Sequence, residues 1–134
     1  MTLTSDPASV RAALERLFSH PPFSDLDADL RGTAEIVMAE ILNNIVEHAY
    51  AGEGGRIEMA LQDGEGGLHC SISDRGRPFP LGEPPAGGLP DLSDDLPEGG
   101  FGWALIRAYA EDLNYERRDG WNHLRFRIGP GLPA

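Results

Sequence analysis

Hydrophobic and polar positions alternate with two different periods along the chain, and the switches between them mark its elements. From Glu35 to Tyr50 the period is helical: Met38, Ile41, Leu42, Ile45, Val46 and Ala49 fall on one arc, and Glu40, Asn43, Asn44, Glu47 and His48 on the other. One face of this helix packs a core, and the other presents carboxylates, carboxamides and an imidazole. Asparagine competes with the backbone for hydrogen bonds inside a helix, so two in succession call for a reason that a merely solvated face does not supply. Glu40, Asn44 and His48 also follow one another at i, i+4 spacing, which lines them up along the helix as one wall of a polar site. Upstream, Asp6-Pro7 opens a first helix whose apolar positions are Val10, Ala13, Leu14, Leu17 and Phe18. Pro21-Pro22 stops it near His20. Asp25 or Asp27 then caps the long second helix, which ends in the Ala51–Gly55 turn.

After Gly55 the period becomes two. Ile57, Met59 and Leu61 alternate against Arg56, Glu58 and Gln62, and beyond a turn over 63–67, Leu68, Cys70 and Ile72 alternate against His69, Ser71 and Ser73. These residues predict a hairpin, with His69 an exposed strand residue rather than a ligand. Asp74-Arg75-Gly76-Arg77-Pro78-Phe79 follows, an acid at a strand end before a glycine turn. Residues 80–98 carry five prolines, five acids and no basic residue, which predicts a mobile functional loop in place of regular structure. Gly99-Gly100-Phe101-Gly102-Trp103 then leads into a helix with Leu105, Ile106, Tyr109, Ala110 and Leu113 on its core side. A glycine-rich turn at a helix N-terminus can bring bare amides and the helix dipole to an anion. A last hairpin turns at Asp119-Gly120, with Leu113–Arg117 before it and Leu124, Phe126 and Ile128 pointing inward after it; residues 129–134 read as a frayed tail. The order αα, ββ, α, ββ predicts an α+β fold of two layers, helices on one face of a mixed or mostly antiparallel sheet, within one domain over residues 1–134.

Composition narrows the chemistry. The 134 residues hold 22 acids against 11 basic residues, and every basic residue is Arg. Without Lys, a Walker A phosphate loop, a eukaryotic-type protein kinase site and Schiff-base chemistry are excluded. A formal net charge of −11 repels phosphate backbones and argues against a nucleic-acid partner. One cysteine, Cys70, forms no internal disulfide and no zinc site of recognisable spacing. The N-terminus has neither the basic start nor the apolar run of a signal peptide, and no apolar run is long enough to span a bilayer. A soluble, cytoplasmic setting without a membrane partner is expected.

Three polar constellations stand in order along the chain, and together they resemble the GHKL ATPases, whose nucleotide site is the Bergerat fold. The likeness is nearest to the anti-sigma factor serine kinases and covers residues 34–128. E-I-L-N-N-I-V-E-H-A-Y looks like that family's N box, D-R-G-R-P-F its first glycine box and G-G-F-G-W-A-L-I its second. The resemblance implies that Asn44 coordinates Mg²⁺, a hard ion that takes an amide oxygen beside waters and phosphates. It implies that Asp74 accepts the exocyclic amine of adenine, that Gly76 lets the backbone approach the base, and that Gly100 and Gly102 place amides against the phosphates of ATP beneath a lid over residues 80–100. Glu40 matches the family's general base, which takes the proton of a partner's serine while the γ-phosphoryl transfers. The partners implied are an anti-anti-sigma protein of STAS type, a sigma factor, or both.

For several residues the structural role carries equal or greater weight. His48 is expected to be a buried, hydrogen-bonded support of the site at least as much as a catalytic group, Asn43 and Glu47 a solvated flank, and Tyr50, Trp103 and Tyr109 packing residues. The sequence also departs from the family. Met1–Ser5 leaves little room for the strand with which members usually open, and although members tend to form a homodimer, no dimer face is visible in the residue pattern. The acidic lid repels a triphosphate, so the metal and backbone amides have to compensate it. That repulsion motivates an alternative reading, a non-catalytic ATP-binding module that sequesters a regulatory partner.

Overall fold

The computed structural model describes residues 1–80, 82–85 and 100–129, and the proline-rich lid and the C-terminal tail expected from the sequence lie largely outside these residues. Its elements in chain order are β1 (Thr2–Thr4), α1 (Pro7–Phe18), a 3₁₀ turn (Phe23–Asp25), α2 (Ala28–Asn44), a π turn (Ile45–Ala49), β2 (Arg56–Gly64), β3 (Gly67–Asp74), α3 (Gly100–Tyr109), β4 (Ala110–Arg118) and β5 (Trp121–Ile128). The five strands form one sheet in the order β1-β2-β3-β5-β4, with every neighbouring pair antiparallel.

Local chemistry accounts for the helix starts. The Asp6 carboxylate caps α1, accepting from the Ser9 amide at 2.8 Å and the Ser9 hydroxyl at 2.7 Å, with Pro7 in the first helical position. Of the two acids proposed to cap α2, Asp27 does so, accepting from the Asp29 amide at 3.2 Å, while Asp25 sits in the 3₁₀ turn. The apolar arc of α2 lies on the sheet: Val37, Met38, Ile41 and Leu42 are fully buried against Ile57, Met59, Leu68, Cys70, Ile72, Leu124, Phe126 and Ile128. Burial pushes the Cys70 thiol up to about 12, so it behaves as a core residue. The other sheet face carries Ala60, Gln62, His69 and Arg125, all exposed, as two-layer architecture requires. His69 is a surface strand residue whose Nε2 meets the Glu65 carbonyl at 2.8 Å.

Three expectations are corrected. The first five residues do hold a strand: Thr2, Leu3 and Thr4 pair with Glu58, Ile57 and Arg56, and Met1 exchanges two main-chain bonds with Met59. Three residues suffice because Leu3 is buried and the rest of the edge is polar. Leu113 is not part of α3. That helix stops at Tyr109, and β4 begins at Ala110 opposite Ile128, with a bulge between Glu111 and Asn114 where Asp112 adopts φ 54°. Tyr109 is half exposed rather than packed.

Replacing the core residue Ile41 by Ala is expected to cost about 2–5 kcal/mol in a urea titration. The same truncation at Ile36, 52% exposed on the opposite side of α2, should stay within about 0.5 kcal/mol.

Candidate functional site

The asparagine that a helix disfavours is the residue at which α2 changes. Asn44 is half-buried and donates its Nδ2 to the Glu40 carbonyl at 2.8 Å, and its amide oxygen takes no bond among the described residues. The next five residues widen into the π turn, with the Tyr50 amide bonding the Ile45 carbonyl at 3.0 Å, five residues back. Turns of this kind concentrate at functional sites because they redirect a helix without ending it. Here the redirected end carries the Ala49 carbonyl to the Arg77 amide, 2.8 Å away, and so joins α2 to the turn that follows β3.

Two groups of predicted residues meet this helix. At the start of α3, Gly102 is buried so closely against α2 that a β-carbon on it would lie 2.6 Å from Glu40 Oε2 and 3.5 Å from Asn44 Nδ2. Glu40, Asn44 and Gly102 therefore converge, and Gly100, the first residue of α3, stands at the same helix end. One turn further on, Gly76 packs against the π turn, where a β-carbon would meet the Ala49 main chain at 2.5 Å. The demand for glycine at 76 thus comes from the helix end. Asp74 is 5% exposed, and its Oδ1 accepts from the Gly76 amide at 2.8 Å and from Asn122 Nδ2 at 2.9 Å. Burial raises the Asp74 carboxyl above the ordinary carboxylate range, opposed by those two bonds and by Arg117 and His123 nearby.

Asn122 is the residue that the sequence reading missed. It is buried on β5 and also bonds the Arg77 and Gly76 carbonyls, while its own oxygen accepts from Arg117 Nη1 and the Tyr115 hydroxyl. A polar residue at an inward position of an otherwise apolar strand was the available signal, since Asn122 shares the face of Leu124, Phe126 and Ile128. Tyr50 packs as expected and does more: its hydroxyl accepts from the Arg75 amide at 2.7 Å and donates to the Arg56 carbonyl. Trp103 is buried edge-on against Phe79, which in turn packs edge-on against Tyr115. His48 corrects its expectation. Its side chain is exposed, and only its carbonyl takes part, accepting from Arg77 Nη2 at 2.9 Å. Asn43 and Glu47 are exposed flanks. Arg107 reaches back from α3 to the Pro85 and Pro84 carbonyls at 3.1 and 3.2 Å, holding the start of the segment expected to form the lid.

A helix wall, an acid at a strand end and a glycine-started helix are matched in sequence by the histidine kinase-like ATPase domain, whose family pattern covers residues 3–128. The chain belongs to this family. A histidine kinase-like ATPase domain binds ATP, and the fold is shared with solved kinases: the blue-light activated histidine kinase EL346 of Erythrobacter litoralis superposes with a TM-score of 0.58 at 20% identity, over 91% of this chain and 40% of that one. A structure of the histidine kinase domain from the same protein gives 0.52 at 18% identity, over 91% and 59%. The ATPase domain described here thus spans only part of those proteins. Among curated relatives, the serine/threonine-protein kinase BtrW of Bordetella bronchiseptica is 37% identical over 98 residues, which are 72% of this chain and 69% of BtrW. Among the described residues no helix is long and apolar enough to cross a membrane.

Gly76→Ala is expected to cost about 1–3 kcal/mol, read by thermal melting, because the Ala49 main chain has to move. Asp74→Asn should have the opposite sign at neutral pH. A carboxyl whose folded pKa is raised costs stability above its unfolded titration range and ceases to do so below it. The variant should therefore melt higher than the parent at pH 7, with the gain vanishing on acidification.

Proposed function

We propose that this ATPase domain is a protein serine kinase that acts as an anti-sigma regulator, using ATP to phosphorylate a serine on an anti-anti-sigma partner of STAS type. The observation that carries the reading is the convergence of Glu40, Asn44 and Gly102, supported by the 37% identity to a serine/threonine-protein kinase. Glu40 is partly exposed beside the start of α3, open to a hydroxyl brought in by another protein. Its carboxylate accepts the serine proton as the serine oxygen bonds to the γ-phosphorus, the bond from that phosphorus to the β-phosphate breaks, and ADP leaves. Gly102 has no side chain that would displace this carboxylate.

The donor set at Asn44 suits Mg²⁺. One Nδ2 hydrogen is committed to the Glu40 carbonyl, which fixes the carboxamide and leaves its oxygen as the acceptor, and oxygen ligands are what this ion takes. Bound there, Mg²⁺ would supply charge neutralisation at the phosphates, which the acidic residues of 80–98 make necessary. At the end of β3, Asp74 Oδ2 takes no bond among the described residues and serves as acceptor for the amine of adenine. A sigma factor is the other proposed partner, and phosphorylation releases the anti-anti-sigma protein.

The acidic segment favours one competing reading, ATP binding that sequesters a partner without transfer. Calorimetry with Mg-ATP and transfer of labelled γ-phosphate to a serine-bearing partner distinguish the two. For the kinase, Glu40→Ala should reduce transfer by about 10²–10⁴-fold while leaving Mg-ATP binding intact. Normal transfer in that variant would remove Glu40 from its role, and binding without any transfer in the parent would favour sequestration. Asn44→Ala should lose the part of ATP affinity that depends on added Mg²⁺.

A further inference from the structure

Asp74, Asn122 and Arg117 stand in one row across three strands, Asp74 of β3 opposite Asn122 of β5 and Asn122 opposite Arg117 of β4. The carboxamide between them can point only one way. Its NH₂ faces Asp74 Oδ1 at 2.9 Å, the Arg77 carbonyl at 3.0 Å and the Gly76 carbonyl at 3.3 Å, while its oxygen faces Arg117 Nη1 at 3.0 Å and the Tyr115 hydroxyl. Turned over, it would set donors against a guanidinium and an oxygen against two carbonyls. Arg117 Nη1 also donates to the Gly76 carbonyl at 2.6 Å, fixing the turn that supplies the second donor to Asp74. One oxygen of Asp74 is thereby occupied by two donors, and Oδ2 takes none among the described residues.

We infer that Asn122 and Arg117 decide which nucleobase the site accepts without touching it, by holding Asp74 so that Oδ2 stays a bare hydrogen-bond acceptor. The inference rests on the proposed pairing of Asp74 with the exocyclic amine of the base. Adenine presents an amino group where guanine presents a carbonyl oxygen. A fixed carboxylate accepts from the first and repels the second, whereas a carboxyl protonated on Oδ2 would donate to the second. Selectivity therefore depends on ionisation as well as position.

The charged and titratable groups facing Asp74 are Arg117 and Tyr115 from β4, His123 from β5, Tyr50 from the end of the π turn, and Arg75 next in the chain, while β2 presents Ile57 opposite it. Burial favours the protonated carboxyl, and the Asn122 bond and the Arg117 charge oppose it. Loss of either lets the proton bind at higher pH. Asn122 and Arg117 are thus positioning residues, and their effect appears in selectivity and pH dependence.

The test is equilibrium binding of Mg-ATP and Mg-GTP to the full chain, followed from neutral pH downward, the direction in which a carboxyl raised by burial takes up its proton. Asn122→Leu should contract the preference for ATP by about tenfold, the weight of one hydrogen bond to a charged group, and move the acid limb of ATP binding to higher pH. Arg117→Gln keeps a side-chain donor but loses the charge, and should shift both readouts the same way by a smaller factor. It decides the matter if thermal melting shows that Asn122→Leu does not fold. Asp74→Asn separates the two layers of the argument: an undiminished ATP preference in that variant removes the proposed base contact itself. Loss of preference in Asp74→Asn, together with parental selectivity and acid limb in the folded Asn122 and Arg117 variants, overturns the inference.

Discussion

The structure depends on one close contact, between the π turn at the end of α2 and the glycine turn after β3. The Arg77 amide meets the Ala49 carbonyl, Gly76 lies where a side chain would collide with the Ala49 main chain, and the Tyr50 hydroxyl holds the Arg75 amide. Helix and sheet are elsewhere joined through apolar packing, which is strong but tolerates small slides between elements. Main-chain hydrogen bonds and a missing β-carbon are less forgiving. They fix the wall bearing Glu40 and Asn44 relative to the strand end bearing Asp74, so that two groups of polar residues share one frame.

That frame is maintained against the preferences of its own residues. Asn44 is a poor helix residue, satisfied by bonding the carbonyl one turn back. Asp74 is a carboxyl in a buried place, held by two donors and a neighbouring guanidinium. Placing each where stability alone would not is the usual mark of a site whose role lies outside folding. The polar groups border the apolar layer, and Val37, Met38, Ile41 and Leu42 of the same helix remain fully buried.

Arginine carries the cationic work throughout, in a chain with no Lys. Arg117 ties β4 to the Gly76 turn, Arg77 ties that turn to the His48 carbonyl, and Arg107 ties α3 to the Pro84-Pro85 backbone. Each uses the guanidinium as a donor to main-chain carbonyls. A planar group with several fixed donors suits that task better than a single flexible ammonium. Arg75 stacks over Trp121 on the outer sheet face, so neighbouring arginines of the same turn brace it from different sides.

Periodicity and punctuation by themselves determined most of the layer architecture. The apolar arc of α2, the alternation of β2, β3 and β5, and the Asp6, Asp27 and Asp119-Gly120 signals are local, and local signals survive in a linear string. The three motifs likewise made Glu40, Asn44, Asp74, Gly76, Gly100 and Gly102 visible as a set. Only tertiary structure decided what depends on pairing between distant segments. The β1 strand is three residues that exist as a strand because β2 offers an edge. β4 begins at Ala110 because Ile128 takes it as partner, which removes Leu113 from the helix its spacing suggested. Asn122 lies 48 residues from the carboxylate it holds, on the strand that the topology inserts between β3 and β4. Sequence spacing encodes which face a residue occupies, whereas its partner across the sheet is set by strand order and register, and these are fixed by the whole core.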